Sequence, residues 1–248
     1  DGIPDCIEES QFIETGEINI GSSWSAVIFD KLFQNPVVVA KHAGSRDSEP
    51  AVVRIRNVTN DGFEIKIQEW EYQDGNHGYE NVSYIAIESG RYVLPGEIIV
   101  EAGTFEADAS GFLYNSFADA FRHVPVVVAS VTSENEADAV AGRIQNIGLG
   151  GFDFRLQEQE STQTQHGAET ISYIACEPSS GSLAQVIFEV GTTGDIVDDQ
   201  FTTVTYSENY PLLPNLFADM QTTDGSDTAN LRCRNRTLTG FDIRVSEE

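Results

Sequence analysis

From residue 62 the chain alternates apolar and polar side chains with a period of two: Phe63, Ile65 and Ile67 against Glu64, Lys66 and Gln68. The alternation returns at Phe152, Phe154 and Leu156, and again at Phe241, Ile243 and Val245. Successive strand side chains point to opposite faces, so this period predicts strands with one face in a core and one in water. The stretch before the first run, "NVTNDGF", carries Asn, Asp and Gly, which tolerate the positive φ of a tight hairpin. "PVVVA" and "VSYIAIE" are apolar runs of strand length. Together these signals predict six strands, near 14–20, 25–29, 36–42, 51–57, 62–70 and 82–88. No stretch shows a capped helical stripe.

The pattern is one of three copies. "RIRNVTNDGFEIKIQEW" begins at Arg54, "RIQNIGLGGFDFRLQEQ" at Arg143 and "RCRNRTLTGFDIRVSEE" at Arg232, each 89 residues after the last. Arg54/Arg143/Arg232, Asn57/Asn146/Asn235 and the Gly-Phe pairs at 62–63, 151–152 and 240–241 recur at that spacing, as do Pro36, Pro125 and Pro214. A period of this size marks beads of one fold rather than solenoid turns. The predicted fold is therefore all-β: tandem six-stranded antiparallel β-sandwiches, the third incomplete. The expected divisions are 1–13, a linker or calcium-repeat remnant; 14–98, repeat 1; 99–186, repeat 2; and 187–248, a truncated repeat 3. Repeat 3 lacks a "SYIAIE" strand, and residues 1–13 are one candidate to fill its edge. The opening "DGIPDCIEES" is not a signal peptide, so the chain reads as a mature fragment or a piece of something longer.

Charge narrows the partners. Forty acidic residues against 14 basic ones leave a net charge of −26. Nucleic acid is excluded as a partner, because its affinity comes from cations that neutralise phosphates. Membranes and acidic polysaccharides are repelled unless a divalent cation bridges the surfaces. Solubility in salt is the plain reading, since at about 1 M salt the screening length falls to about 3 Å. Cys6, Cys176 and Cys233 match no disulfide or metal spacing. Cys176 and Cys233 replace Ile87 and Ile55 of repeat 1 and read as apolar core residues; Cys6 reads as a free or intermolecular thiol.

Several phrases in order resemble the H-type lectin family. They are "TGEINI" with Trp24, Phe33 with Pro36-Val37-Val38, then Arg54, Val58, Gly62, Phe63 and Trp70, and finally Ser83, Tyr84, Ile85, Ile87 and Glu88. The resemblance implies small sugar-binding sandwiches that commonly assemble as trimers. Three copies in one chain would then imitate such a trimer, or the protein would form a homo-oligomer. The family's His after the Trp is here Glu71, and its cysteine pair is absent, so its sugar chemistry does not carry over intact. "DGIPD" at Asp1–Asp5 resembles the tail of a thrombospondin type 3 calcium repeat. That implies an extracellular parent and a Ca²⁺ ion, which takes six to eight oxygen ligands.

The segment "EWEYQDGNHGYENVSYIA" at 69–86 is the candidate site. A sugar site needs a flat apolar face for stacking and polar groups for hydroxyls. Trp70, Tyr72, Asp74, Asn76, His77 and Tyr79 offer both within one hairpin, with Arg46 and Asp47 on the neighbouring loop and His166 as the second copy of His77. In repeat 2 the aromatics become Gln159, Ser161 and Ala168, whereas Glu69/Glu158, Glu71/Glu160, His77/His166 and Glu80/Glu169 persist. The persistent set reads as fold maintenance, or as a metal site in which His77-x-x-Glu80 is joined by Glu69 or Glu71; the set chosen is Glu71, His77 and Glu80. No phosphate loop, nucleophile elbow or HExxH is present, which argues against an enzyme. The expected function is a secreted or cell-surface, non-catalytic carbohydrate-binding array with no obligate cofactor and a neutral rather than acidic polysaccharide ligand. The alternative is a spacer or adhesin segment without glycan binding.

Overall fold

The computed structural model describes residues 12–160, 165–183 and 186–248. Among them every regular element is a β-strand, and all pairings are antiparallel. In repeat 1 the strands are β1 (Ile13–Ile20), β2 (Ser25–Ile28), β3 (Pro36–His42), β4 (Ala51–Thr59), β5 (Gly62–Glu69) and β6 (Glu80–Glu88). They pair as two three-stranded sheets, β1-β6-β3 and β2-β5-β4. Val38 and Ala40 from β3, Phe63, Ile65 and Ile67 from β5, and Val82 and Ala86 from β6 meet in one buried cluster. The period-two residues of the sequence are the residues that face this core.

Repeat 2 follows with β7 (Gly90–Leu94), β8 (Ile98–Ala107), β9 (Leu113–Ser116), β10 (Val126–Val131), β11 (Ala141–Gly148), β12 (Gly151–Gln157) and β13 (Glu169–Cys176). Its sheets are β10-β13-β8-β7 and β11-β12-β9. Repeat 3 contributes β14 (Ser179–Leu183), β15 (Val186–Val190), β16 (Thr202–Thr205), β17 (Ala229–Arg234) and β18 (Gly240–Glu247), in sheets β14-β15 and β16-β18-β17. β7 lies before residue 98 but pairs with β8, and β14 lies before residue 186 but pairs with β15. Pairing thus crosses both division points read from the sequence. Residues 1–11, with Cys6, the "DGIPD" fragment and most of the proposed edge filler, lie outside the described residues. Phe12 is buried against Tyr92 of repeat 2, and its carbonyl oxygen accepts from the Glu88 amide of repeat 1.

The recurring anchors have separate physical causes. Asn57, Asn146 and Asn235 all take positive φ, at 52°, 50° and 50°. Each donates its side-chain amide to a carboxylate on the next strand, Glu64, Asp153 and Asp242, at 2.7–2.8 Å. In the first two repeats the register slips at this point, so Asn serves a bulge that few residues tolerate. Gly62, Gly151 and Gly240 pass so close to a neighbouring strand that a Cβ would stand 2.1–2.3 Å from a backbone carbonyl oxygen. Cys176 and Cys233 are buried, and burial pushes both thiols up to about 12, which suits inert apolar residues.

The third anchor joins the repeats. Arg54 leaves repeat 1 and donates to the carbonyl oxygens of Asp138 and Glu136 and to the Glu169 carboxylate of repeat 2. Arg143 of repeat 2 donates to the Asp227 carbonyl oxygen of repeat 3 at 2.8 Å. Arg232 of repeat 3 donates to the Glu49 and Asp47 carbonyl oxygens and the Glu80 carboxylate of repeat 1, at 3.1, 2.9 and 2.6 Å. The contacts run from 1 to 2, from 2 to 3 and from 3 back to 1. Near the centre, Lys41, Ser130 and Asp219, also 89 residues apart, hold neighbouring repeats together. The Ser130 hydroxyl both donates to and accepts from the Ala40 backbone, and Lys41 pairs with Asp219 at 2.6 Å. A shared apolar cluster beneath them draws Val37, Val39 and Ile87 from repeat 1 and Val100, Ile174 and Cys176 from repeat 2, with Phe188 and Val190 packed against it.

Candidate functional site

The hairpin tip after β5 is divided between solvent and interior. Tyr72 and Tyr79 are 58% and 67% exposed, and Asp74 and Asn76 are exposed as well. The tip organises itself: the Asp74 carboxylate accepts the Asn76 amide at 2.8 Å, and Gly75, at φ 78°, donates to Glu69 at 2.8 Å. Arg46 is exposed on the loop between β3 and β4, whereas Asp47 is half-buried and accepts the Gly78 amide at 2.8 Å.

Trp70 is not part of any exposed cluster. It is 2% exposed and packs against Val52 of its own repeat and Ala139 and Ala141 of repeat 2. Its indole is therefore an inter-repeat wedge, and the sugar-stacking face expected of it is closed. The adjacent Glu71 also turns towards repeat 2: its amide donates to the Gln159 side chain at 3.0 Å. It is exposed, and among the described residues the group that could hold a metal around His77 contains Glu69 and Asp47 in place of the expected Glu71 and Glu80. The register carried a signal for this. Phe63, Ile65 and Ile67 face inward, and Glu69 continues the same face of β5.

His77 lies inside, with its side chain fully enclosed. Its Nδ1 is 3.3 Å from Glu69 Oε1 and its Nε2 3.5 Å from Glu80 Oε1. Glu80, from the start of β6, is the hub: it also accepts from Arg232 at 2.6 Å and from the Asp47 amide at 2.9 Å, and lies 3.4 Å from His42 Nδ1. His166 repeats the arrangement, with Nδ1 2.8 Å from Glu158 Oε1 and Nε2 3.1 Å from Glu169 Oε1. Glu169 is held by Arg54 at 3.3 Å and by the amides of Asn135 and Glu136. Each buried histidine is thus joined through a glutamate to an arginine from a neighbouring repeat.

Electrostatics keep these glutamates ionised. Burial opposes the charge of Glu80, but His42, His77 and Arg232 outweigh it and hold its carboxyl well below the usual range. Burial likewise opposes the charge of Glu169; His166, Ser133 and the backbone amides outweigh it and hold the group at about 2. His42 is pushed the other way by burial and is disposed to stay neutral. Two triads place their donor atoms within 4.8 Å of one another and could hold a metal: Asp47, Glu69 and His77, and Glu136, Glu158 and His166. A third group, Glu49, Glu69 and Asp74, is an acidic cluster nearer the surface.

A separate groove of about 810 Å³ runs between repeats 1 and 2. Amides and hydroxyls of Asn57, Asn60, Asn135, Thr132, Thr170 and Ser172 line it. Sequence reasoning missed this groove because it exists only between repeats.

Among the described residues no helix is long and apolar enough to cross a membrane. No protein-family model matches the chain, and no solved structure matches it. Over 239 residues, or 92% of its length, the chain is 34% identical to Halomucin from Haloquadratum walsbyi (strain DSM 16790 / HBSQ001), of which it spans 3%.

Proposed function

We propose that this chain is a non-catalytic block of a mucin-like extracellular surface protein, built to stay folded in strong salt. The observation that carries the reading is the likeness to Halomucin, which runs through 92% of the chain and so includes all three repeats. The geometry supports it. Among the described residues, six of the chain's 14 basic residues form ion pairs between repeats: Lys41 to Asp219, Arg54 to Glu169, Arg56 and Lys66 to Glu134, Arg232 to Glu80 and Arg236 to Glu17. With those cations committed to the joints, the remaining surface is dominated by carboxylates, which disfavours nucleic acid and anionic membranes as partners. Three of the four histidines, His42, His77 and His166, are buried, which supports a non-catalytic role. In the same reading, repeats 1 and 2 are H-type-lectin-like sandwiches, each pairing two sheets over one core, and the closed cycle of arginine contacts is a one-chain pseudo-trimer.

Salt tests this proposal. Screening shortens from about 10 Å at 0.1 M to about 3 Å at 1 M and acts on exposed charges more than on buried pairs. The melting temperature should therefore rise by roughly 5–10 °C between those concentrations of KCl, corresponding to a few kcal/mol for a chain of this size. A melting temperature that falls or stays constant would contradict the proposal.

A second reading, glycan binding, is favoured by the hydroxyl- and amide-lined groove and by the open rings of Tyr72 and Tyr79. A pull-down on insoluble neutral polysaccharides, with Ca²⁺ and with chelator, should retain the wild-type chain and lose it on Tyr72→Ala with Tyr79→Ala. No retention under either condition would leave the spacer role alone.

A further inference from the structure

We infer that each of the first two repeats holds a transition-metal ion, zinc being the best fit, on a buried imidazole and two carboxylates: His77 with Glu69 and Asp47, and His166 with Glu158 and Glu136. The argument begins with an unpaired atom. His77 is 4% exposed, and neither of its ring nitrogens has a hydrogen-bond partner, nor does the facing Glu69 Oε1. Buried polar atoms are rarely left so, and such an orphan asks for a missing partner.

The surroundings say which nitrogen it would use. Nε2 faces Glu80, which Arg232 anchors from the next repeat. At 3.5 Å that carboxylate makes no hydrogen bond as it stands, but it is the acceptor the N–H would take on closing the gap, which would fix the tautomer and leave the other nitrogen basic, as the outer partners of metal-bound histidines do. Nδ1 then turns its lone pair towards Glu69 and the nearby Asp47. A lone pair facing two carboxylates is repelled unless a positive species sits between them. A proton would leave that group of three with a net charge of −1, whereas a divalent cation makes it neutral. Donor atoms around a tetrahedral zinc stand about 3.4 Å apart, and His77 Nδ1 is 3.3 Å from Glu69 Oε1.

Repeat 2 builds the same site from its own residues. His166 is 1% exposed; here both ring nitrogens have hydrogen-bond partners, Nε2 with Glu169 at 3.1 Å and Nδ1 with Glu158 at 2.8 Å, and Nδ1 lies 3.6 Å from Glu136, so a metal in this repeat would displace the Nδ1 proton. Both acids occupy the positions of Glu69 and Asp47 shifted by 89 residues, and Asp47 is replaced by the other carboxylate residue rather than lost. Repeat 3 has Gly225 in that place, and residue 248 precedes any counterpart of the histidine. The sites therefore number two in this stretch, not three. An imidazole with two carboxylates suits zinc and its first-row neighbours, whereas calcium takes six to eight oxygens.

The test is metal analysis of the full chain, stripped with chelator, loaded with Zn²⁺ and washed in strong salt to clear loosely held ions. Two equivalents should be retained against a large excess of Ca²⁺, falling to one in His77→Gln, one in His166→Gln and none in the double variant. Co²⁺ loaded into the wild-type chain gives a second readout that does not depend on the variants folding: visible d–d bands of a low-coordinate nitrogen–oxygen site, without the intense near-ultraviolet band of a thiolate ligand. Retention of no metal by the folded wild-type chain, displacement by Ca²⁺, three equivalents, or a folded double variant that still binds two would each overturn the inference.

Discussion

Arg232→Ala should cost the chain about 3–5 kcal/mol of unfolding free energy, the range for removing one partner of a buried ion pair. Arg232 is 2% exposed, and its guanidinium serves three acceptors of repeat 1 at once: the carbonyl oxygens of Glu49 and Asp47 and the carboxylate of Glu80. Without it, the ionised Glu80 remains buried, opposed by desolvation and supported only by His42, His77 and the Asp47 amide. Lysine should not rescue the variant, because one ammonium cannot reproduce a planar fork aimed at several oxygens. Arg54→Ala should behave alike, since it strands Glu169. Arg143→Ala provides an internal comparison. Arg143 donates to the Asp227 carbonyl oxygen, and among the described residues no carboxylate pairs with it, so about 1–2 kcal/mol is expected, the cost of unmet hydrogen bonds. Urea unfolding in 1 M KCl measures all three. Equal, small losses would show that the arginines decorate the joints rather than hold them.

Trp70→Ala should destabilise the chain by a similar amount, about 3–5 kcal/mol, as large-to-small changes of buried aromatics do. The indole fills the space between Val52 and the small side chains Ala139 and Ala141. Those alanines leave little scope for the neighbours to close the cavity. Tyr72→Ala, two residues away at 58% exposure, should change stability by no more than about 0.5 kcal/mol. The contrast separates a wedge between repeats from a ligand platform. If Trp70→Ala unfolds at the wild-type midpoint, the wedge is wrong.

Much of repeat 1 was legible because its signals are local. Each predicted strand lies within a residue or two of an observed one, since alternation and turn residues act over a few positions. Asn57 and Gly62 were legible as backbone requirements for the same reason. What failed depended on the neighbouring repeat. By alternation Arg54 lies opposite Ile55, on the outer face of β4, and nothing in its own repeat says that this face is covered. Its recurrence at 143 and 232 marked it without revealing its acceptors. Trp70 was misread because a tryptophan beside a polar loop looks exposed until the alanines of repeat 2 are placed against it. Of the group proposed to hold a metal, His77 and its outer partner Glu80 are legible by recurrence, and Glu69 is legible too, since period two turns it inward, although the reading of the sequence prefers Glu71.

Small-angle X-ray scattering of the wild-type chain in 1 M KCl tests most directly whether the three repeats close on one another. A closed body of 248 residues should give a radius of gyration near 18 Å. A radius of about 24 Å or more, with the scattering of separate beads on a string, would contradict the cycle of arginine contacts and the account built on it.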